Sequence, residues 1–369
     1  MATKKRAVKN APPPPDPLGR FFARELAGEP GPSLELMGQL CALSGEFFAL
    51  QPWKRLHDSD LILFQDPLSG EMCFCSIMGA LGEVFSLHAF IGAEGYRAYR
   101  SMAAGDPEIL DTIYAVSRSV YVELVSGAEL TPPDREMLRL VGASATTGGR
   151  APIFRALRPG YHPWHPNEAE ARLLRDCLGA VCWLVGHLTP DSKAAWWPGE
   201  ERYPQVFPGA REGEYEVKVV KPPRPAPALL ELPNIDEKRV AAILKSNLPS
   251  KGVLELDHFH ARSTIGKKHE RKACMGLAMA IDAKTAYAFP PQIGSGATPV
   301  SRLLPEALLA AIETSRAIPL EVHVRNRDRK RSLDRLAREL GFRLRATESL
   351  PAFDFCKEQL MAAIGGGGC

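Results

Sequence analysis

The stretch VLELDHFHARSTIGKKHERKAC, from Val253 to Cys274, puts an aspartate, three histidines and a cysteine within 22 residues. Carboxylate, imidazole and thiolate are the groups that hold divalent metals, and they also move protons in acid–base catalysis. On a strand, residues two apart share a face. His258 and His260 therefore point one way, and Asp257 and Phe259 the other. A zinc ion held by both histidines would need His269 and Cys274 to complete its four ligands. The tight ligand pairs of a closed zinc motif are missing. The plain alternative is a half-exposed strand face beside the loop GKKHERK.

Two further groups carry chemistry. Asp257 and Asp282 fall at the ends of adjacent expected strands, where two carboxylates bind a metal ion or share a proton. The alternative for Asp282 is a solvated strand end that opens the turn DAKTA. The basic set Arg325, Arg327, Arg329, Lys330, Arg331 and Arg335 is dense. Arg338, Arg343 and Arg345 extend it, as do Lys267, Lys268, Arg271 and Lys272, and a phosphate backbone would be its natural partner. Asp328, Asp334 and Glu339 interleave with it, and aromatic residues for stacking are nearly absent. A solvated helix face with i,i+4 pairs such as Asp334–Arg338 fits equally well. In the N-terminal half, His57, Asp58, Asp60 and Asp66 flank a strand, His88 lies in another, and GYHPWHPNE forms a rigid entry to a helix. No G-x-S-x-G, P-loop, G-x-G-x-x-G or H-E-x-x-H motif occurs, so acyl, phosphoryl, hydride and zincin chemistry have no motif support.

Periodicity supplies the elements that must position these groups. SLELMGQLCALSGEFFAL has helical spacing. DLILFQD, EMCFCSIMG and VFSLHAFIG read as strands joined by the turns PLSG and ALGE. Cys73 and Cys75 share a face of the second. A helix from AEGYRAYRSM, a strand in YAVSRSVYVELVS and a helix with Pro132 or Pro133 in its first turn follow. Asn167 is the expected N-cap of a long helix with Ala171, Leu174, Leu178, Val181, Cys182 and Val185 on its apolar side. EYEVKVVK is a strand. The run PPRPAPALLELPN is the best linker in the chain. Beyond it, GVLELDHFHA, KACMGLAMAIDA and TAYAFPPQIG read as three strands. The helix RLLPEALLAAIETSR, strand PLEVHVR, helix KRSLDRLARELG, strand FRLRA and helix AFDFCKEQLMAAI complete the chain. The order of this half is β-β-β-α-β-α-β-α.

Length and composition bound the class. A chain of 369 residues suits two domains. An apolar fraction of 45% and a charged fraction of 24% are those of globular proteins. The net charge of +3 is unevenly spread: from Lys251 onward there are 19 Lys and Arg against 13 Asp and Glu. An anionic partner would be sought there. The eight cysteines form no disulfide framework, and no secretory signal precedes them. No apolar run reaches about 18 residues, so no membrane span is expected. A cytoplasmic setting is the default. The expected organisation is a basic, proline-rich disordered tail over 1–16, an α+β domain over 17–220, a linker over 221–235, an α/β domain over 236–364 and a flexible tail over 365–369.

The alternation after Val253 resembles the ribonuclease-H-like fold, in its integrase and transposase branch. There the first strand carries an acid, as in LELDHF, and the second is apolar and ends in an aspartate, as in LAMAIDAKT. The resemblance covers roughly Val253 to Met361. It implies three carboxylates around Mg²⁺ or Mn²⁺, with Asp257 as the first acid, Asp282 beside it and Glu358 on the last helix. This chain departs from that pattern at the end of EVHVRN, where the second acid belongs and Arg325 and Asn326 stand. A guanidinium there would repel a divalent cation. The whole chain also resembles a two-domain bacterial family of domains of unknown function, through PWKRLHDSDL, SIMG, GAEGY and RPGYHPW, over most of residues 35–360.

The fold expected is α+β: an N-terminal antiparallel β-meander with flanking helices, then a ribonuclease-H-like domain. The function expected is a non-catalytic module that binds a protein partner or nucleic acid through its basic C-terminal domain, without a cofactor. The alternative is a metal-dependent nuclease or strand-transfer enzyme using Asp257, Asp282 and Glu358 with Mg²⁺ or Mn²⁺.

Overall fold

The computed structural model describes residues 17–105, 113, 116–143, 149–209, 211, 214–222, 224, 233, 235–296 and 298–365. The expected tail over 1–16, most of the linker over 221–235 and residues 366–369 lie outside the described residues.

The N-terminal half is a seven-stranded sheet with helices packed on it. Helices α1 (Pro17–Glu25) and α2 (Leu34–Leu50) come first, and Ser33 caps α2 by accepting from the Leu36 amide. Strands β1 (Ile62–Gln65), β2 (Met72–Met78) and β3 (Ser86–Ile91) lead to α3 (Gly92–Ala103). Then come β4 (Ser119–Ser126), α4 (Pro132–Val141), β5 (Arg150–Leu157), α5 (Glu168–Gly186), α6 (Pro190–Trp196), β6 (Tyr203–Pro208) and β7 (Tyr215–Val220). The sheet order is β5-β4-β3-β2-β1-β6-β7. Neighbours from β1 to β5 are antiparallel, β6 joins β1 in parallel, and β7 closes the edge antiparallel.

The sheet is therefore larger than the expected meander, and it is mixed. Its two unforeseen strands, β5 and β6, both contain proline, a residue that argues against a strand in a sequence reading. The expected cap Asn167 is present, in a reciprocal capping box with Glu170, and Thr131 forms a second one with Asp134. Leu174, Leu178, Val181 and Val185 of α5 are buried in one core with Ile62, Ile77, Val120 and Val122 of the sheet. Cys73 and Cys75 face the same core and meet the Cys177 thiol.

The C-terminal half opens with α7 (Glu237–Lys245). It continues β8 (Val253–Ile265), β9 (Ala273–Asp282), β10 (Gln292–Ser295), α8 (Val300–Ser315), β11 (Glu321–Val324), α9 (Arg327–Leu340), β12 (Arg343–Ala346) and α10 (Pro351–Gly365). The third strand starts later than expected, because Pro290 and Pro291 cannot donate to a ladder. The sheet order is β10-β9-β8-β11-β12. Strands β10, β9 and β8 are antiparallel in turn, while β11 and β12 run parallel to β8. Strands β8, β10 and β11 thus end at one edge of the sheet, and α8 and α9 start there. Leu254 and Leu256 face a core with Leu304 and Leu308 of α8 and Leu333 and Leu336 of α9. On the other face, Phe259, Leu277 and Met279 pack against Leu350 and Phe353 of α10. Among the described residues, no helix is long and apolar enough to cross a membrane.

The two halves join through backbone. Tyr161 forms a β-bridge with Ala273. The His162 amide donates to Lys272 O at 2.7 Å, and the Cys274 amide to Gly160 O at 2.9 Å. A Cβ at Gly296 would stand 2.5 Å from Gly160 O, so only glycine admits this approach.

Candidate functional site

The chemistry suggested by the opening stretch divides at Asp257. Its side chain is 3% exposed on β8, facing α10. Arg325, one residue past β11, donates from Nε to Asp257 Oδ2 at 2.8 Å, and its other arm holds Asp354 on α10. Arg329, in the first turn of α9, pairs with Asp257 Oδ1. The His258 amide donates to the same oxygen at 2.8 Å. One buried carboxylate is thus matched by two guanidinium groups and an amide. Burial opposes the charge on Arg325, but the hydrogen bonds it donates to Asp257 and Asp354 outweigh it and raise its pKa. Glu255, two residues before Asp257 and also buried, accepts from the Phe353 amide at 2.8 Å. Two acids of one strand face therefore tie the start of α10 to the sheet, one directly and one through Arg325.

The other two acids of the expected triad lie elsewhere. Asp282 pairs in register with Leu254, and Asp257 with Met279. Three residues along a strand separate them by about 10 Å. Asp282 Oδ1 accepts from the Thr285 amide at 2.8 Å, the Thr285 hydroxyl at 2.8 Å and the Lys284 amide at 3.1 Å. It closes the turn, and these hydrogen bonds overcome a burial effect of opposite sign to lower its pKa. Glu358 is exposed on α10, a helical turn beyond Asp354. The structure brings together Asp257 and Asp354, not Asp257, Asp282 and Glu358. Among the described residues, no group of three His, Cys, Asp or Glu is placed to hold a metal ion. The residues around Asp257 do not fit a divalent cation, because the guanidinium of Arg325 stands between the two carboxylates that would bind it.

The histidines and cysteine do not converge either. His258 and His260 share a strand face as expected, with ring centroids 4.6 Å apart. His269 reaches the other half of the chain, where Nδ1 lies 3.1 Å from Glu25 Oε1. Cys274 is buried at the joint. The loop GKKHERK docks on the N-terminal half. Arg271 donates to Ala156 O at 2.8 Å, His165 O at 3.4 Å and Glu170 Oε2 at 3.2 Å. Its partner is the other histidine-rich stretch. Trp164 donates to Glu25 O at 2.6 Å, and His165 is buried against Phe21 and Phe22.

Most of the basic set is already paired. Lys330 lies 3.1 Å from Asp334, Arg331 3.4 Å from Asp328, and Arg335 2.6 Å from Glu237 and 2.7 Å from Glu339. Arg343 and Arg345 both meet Glu321. The expected Asp334–Arg338 pair takes another form: Arg338 donates to the Asp334 carbonyl at 3.3 Å, and the carboxylate goes to Lys330. Of the six cations first singled out, Arg327 is exposed and forms no ion pair among the described residues. In the N-terminal half, Asp60 and Asp66 accept backbone amides in turns, Trp53 is core, and His88 bonds Ser119 Oγ at 2.7 Å.

Sequence reading missed Asp354, Glu255 and Glu25. Glu255 was within reach of it, since alternation places it on the face of Asp257. Asp354 adjoins Phe353, the residue that anchors α10, whereas Glu358 lies a turn further out.

Residues 38–196 match the family model described as domain of unknown function DUF7309. Residues 241–361 match the one described as domain of unknown function DUF6930. No curated protein matches the chain.

Proposed function

We propose that this chain, which belongs to a two-domain family of domains of unknown function, is a binding protein that performs no metal-dependent chemistry. The observation that carries this reading is the position of Arg325, bonded at once to Asp257 and Asp354. The sheet order β10-β9-β8-β11-β12, with only β9 antiparallel to the rest, supports a ribonuclease-H-like ancestry for the C-terminal domain. In that fold a cation sits between carboxylates on the first strand and the last helix. Here a permanent side-chain cation takes that place. Charge is balanced without a metal, and Asp257 has no oxygen left unmatched.

The same ion pairs bear on the partner. Nucleic-acid backbones are bound by cations that release counterions, and five of the six cations first singled out are already matched by acids. A protein or small-molecule partner therefore fits better than a nucleic-acid backbone. The nuclease alternative lacks its convergent acids.

Calorimetric titration with Mn²⁺, on wild type and Asp257→Asn, tests the reading. No saturable binding at the site is expected in either protein. Binding to wild type that Asp257→Asn abolishes would overturn it, as would Mn²⁺-dependent cleavage of DNA or RNA lost in the same variant.

A further inference from the structure

Two helices start at the edge where β8, β10 and β11 end, and they start differently. Asn326 caps α9, accepting from the Asp328 amide at 3.1 Å and the Arg329 amide at 3.0 Å. Helix α8 begins after Pro299 with no side-chain cap and no acid in its first turn. The residue that helix electrostatics would choose as acidic, in that turn, is instead the exposed Arg302. The positive end of α8 is left without a negative partner from its own sequence.

Beside it, on the α8 face of β8, are His258 and His260. His258 is 5% exposed. Its Nε2, and Nδ1 of His260, are buried with no hydrogen-bond partner among the described residues. Gly276 shows where that Nε2 points. A Cβ on Gly276 would lie 2.9 Å from it, 3.6 Å from Leu303 Cδ1 in the first turns of α8, and 3.7 Å from Gly294 O, just before the helix. The imidazole is aimed under the start of α8. Burial holds His258 down to about 3 and His260 to about 4, with the Arg329 charge adding to both. Both rings are therefore neutral near pH 7, and each has one N–H to donate. A buried polar nitrogen without a partner is costly, and two side by side facing an uncapped helix start call for an acceptor.

We propose that the first turn of α8 and the neighbouring His258–His260 pair together bind a small oxyanion of the phosphate or phosphomonoester class. The Val300 and Ser301 amides, which have no partner among the described residues while the Arg302 amide turns back to Pro299 O at 3.0 Å, and the imidazole N–H groups would donate to it, and the exposed Arg302 in the same turn would supply the charge that draws it in. The depth of His258 suits a terminal phosphoryl group and excludes a polymer backbone.

The test is calorimetry and thermal denaturation of the full chain in anion-poor buffer, with inorganic phosphate and phenyl phosphate as probes. Wild type is expected to bind one equivalent of at least one probe and to melt higher in its presence. Binding of phosphate alone assigns the site to the free ion, and binding of both assigns it to a ligand with a terminal phosphate. Arg302→Glu is the main variant, because an acid in the first turn suits the free helix while it repels an anion. It should melt no lower than wild type without ligand and bind the probe about tenfold more weakly or worse. His258→Phe should abolish binding while it keeps the ring volume, and if it fails to fold Arg302→Glu stands alone. Neither probe binding wild type, or equal affinity in Arg302→Glu, would overturn the proposal.

Discussion

Removing the Arg325 guanidinium gives the sharpest view of what it does. In Arg325→Ala, Asp257, which is 3% exposed in the wild type, loses one of its two cationic partners. A buried charge left wholly unmatched costs about 3–5 kcal/mol. Arg329 and the His258 amide remain on Oδ1, so about 2–3 kcal/mol is the expected loss. Asp354 is 40% exposed and water screens it, so its share is below about 1 kcal/mol. Asp257→Asn should cost a similar amount, because it leaves Arg325 and Arg329 facing each other across a neutral amide. The double variant removes the acid and one of the bases together. Urea denaturation of the four proteins closes a cycle, in which the double variant should be about 2 kcal/mol more stable than the sum of the single losses. Additivity within about 0.5 kcal/mol would refute the reasoning, because it would mean that Asp257 and Arg325 do not act on each other.

Acid should loosen the fold before its carboxylates titrate. Burial pushes His165 down to about 4 and His258 to about 3, so the unfolded chain, with ordinary imidazoles, takes up protons first as pH falls below about 6.5. Stability is then full above that pH and declines towards pH 4, by on the order of 2 kcal/mol per histidine at pH 5; a urea midpoint unchanged from pH 7.5 to 5 would contradict this. Gly296→Ala places a methyl 2.5 Å from Gly160 O and should prise the two halves apart, at a cost of about 1–3 kcal/mol. Faster hydrogen exchange at the His162 and Cys274 amides would report it, and unchanged exchange would argue against the joint. Arg271→Ala removes a largely buried guanidinium from Ala156 O and Glu170 and should speed exchange at the same amides, while Lys268→Ala should not.

The C-terminal half was the more legible in sequence. Its strands are long apolar runs and its helices carry clean stripes such as Leu333, Leu336 and Leu340, although α9 begins at Arg327 behind the cap Asn326, three residues before the expected KRSLDRLARELG. The N-terminal sheet was read short, because β5 and β6 contain Pro152 and Pro204 and look like loops. The site was legible in its oddity and not in its partners. Alternation put Asp257 on the face opposite His258 and His260, and the place of Arg325 followed from the strand end that carries it. Which acid of α10 would reach it did not follow, because Asp354 and Glu358 are a helical turn apart and both fit the spacing. The role of GKKHERK and RPGYHPW was hidden for a different reason. Each reads as a polar loop by itself, and only the fold shows that they dock on each other across about a hundred residues.

Whether a cation can displace Arg325 is best answered by paramagnetic line broadening with Mn²⁺ on isotope-labelled wild-type protein. The guanidinium bridge predicts no localised loss of signal at the amides of Asp257, His258, Phe353 and Asp354, at any Mn²⁺ concentration that leaves exposed acids such as Glu358 only weakly broadened. Selective broadening of those four amides at low Mn²⁺, absent in Asp257→Asn, would show a metal seated between Asp257 and Asp354 and would contradict the account.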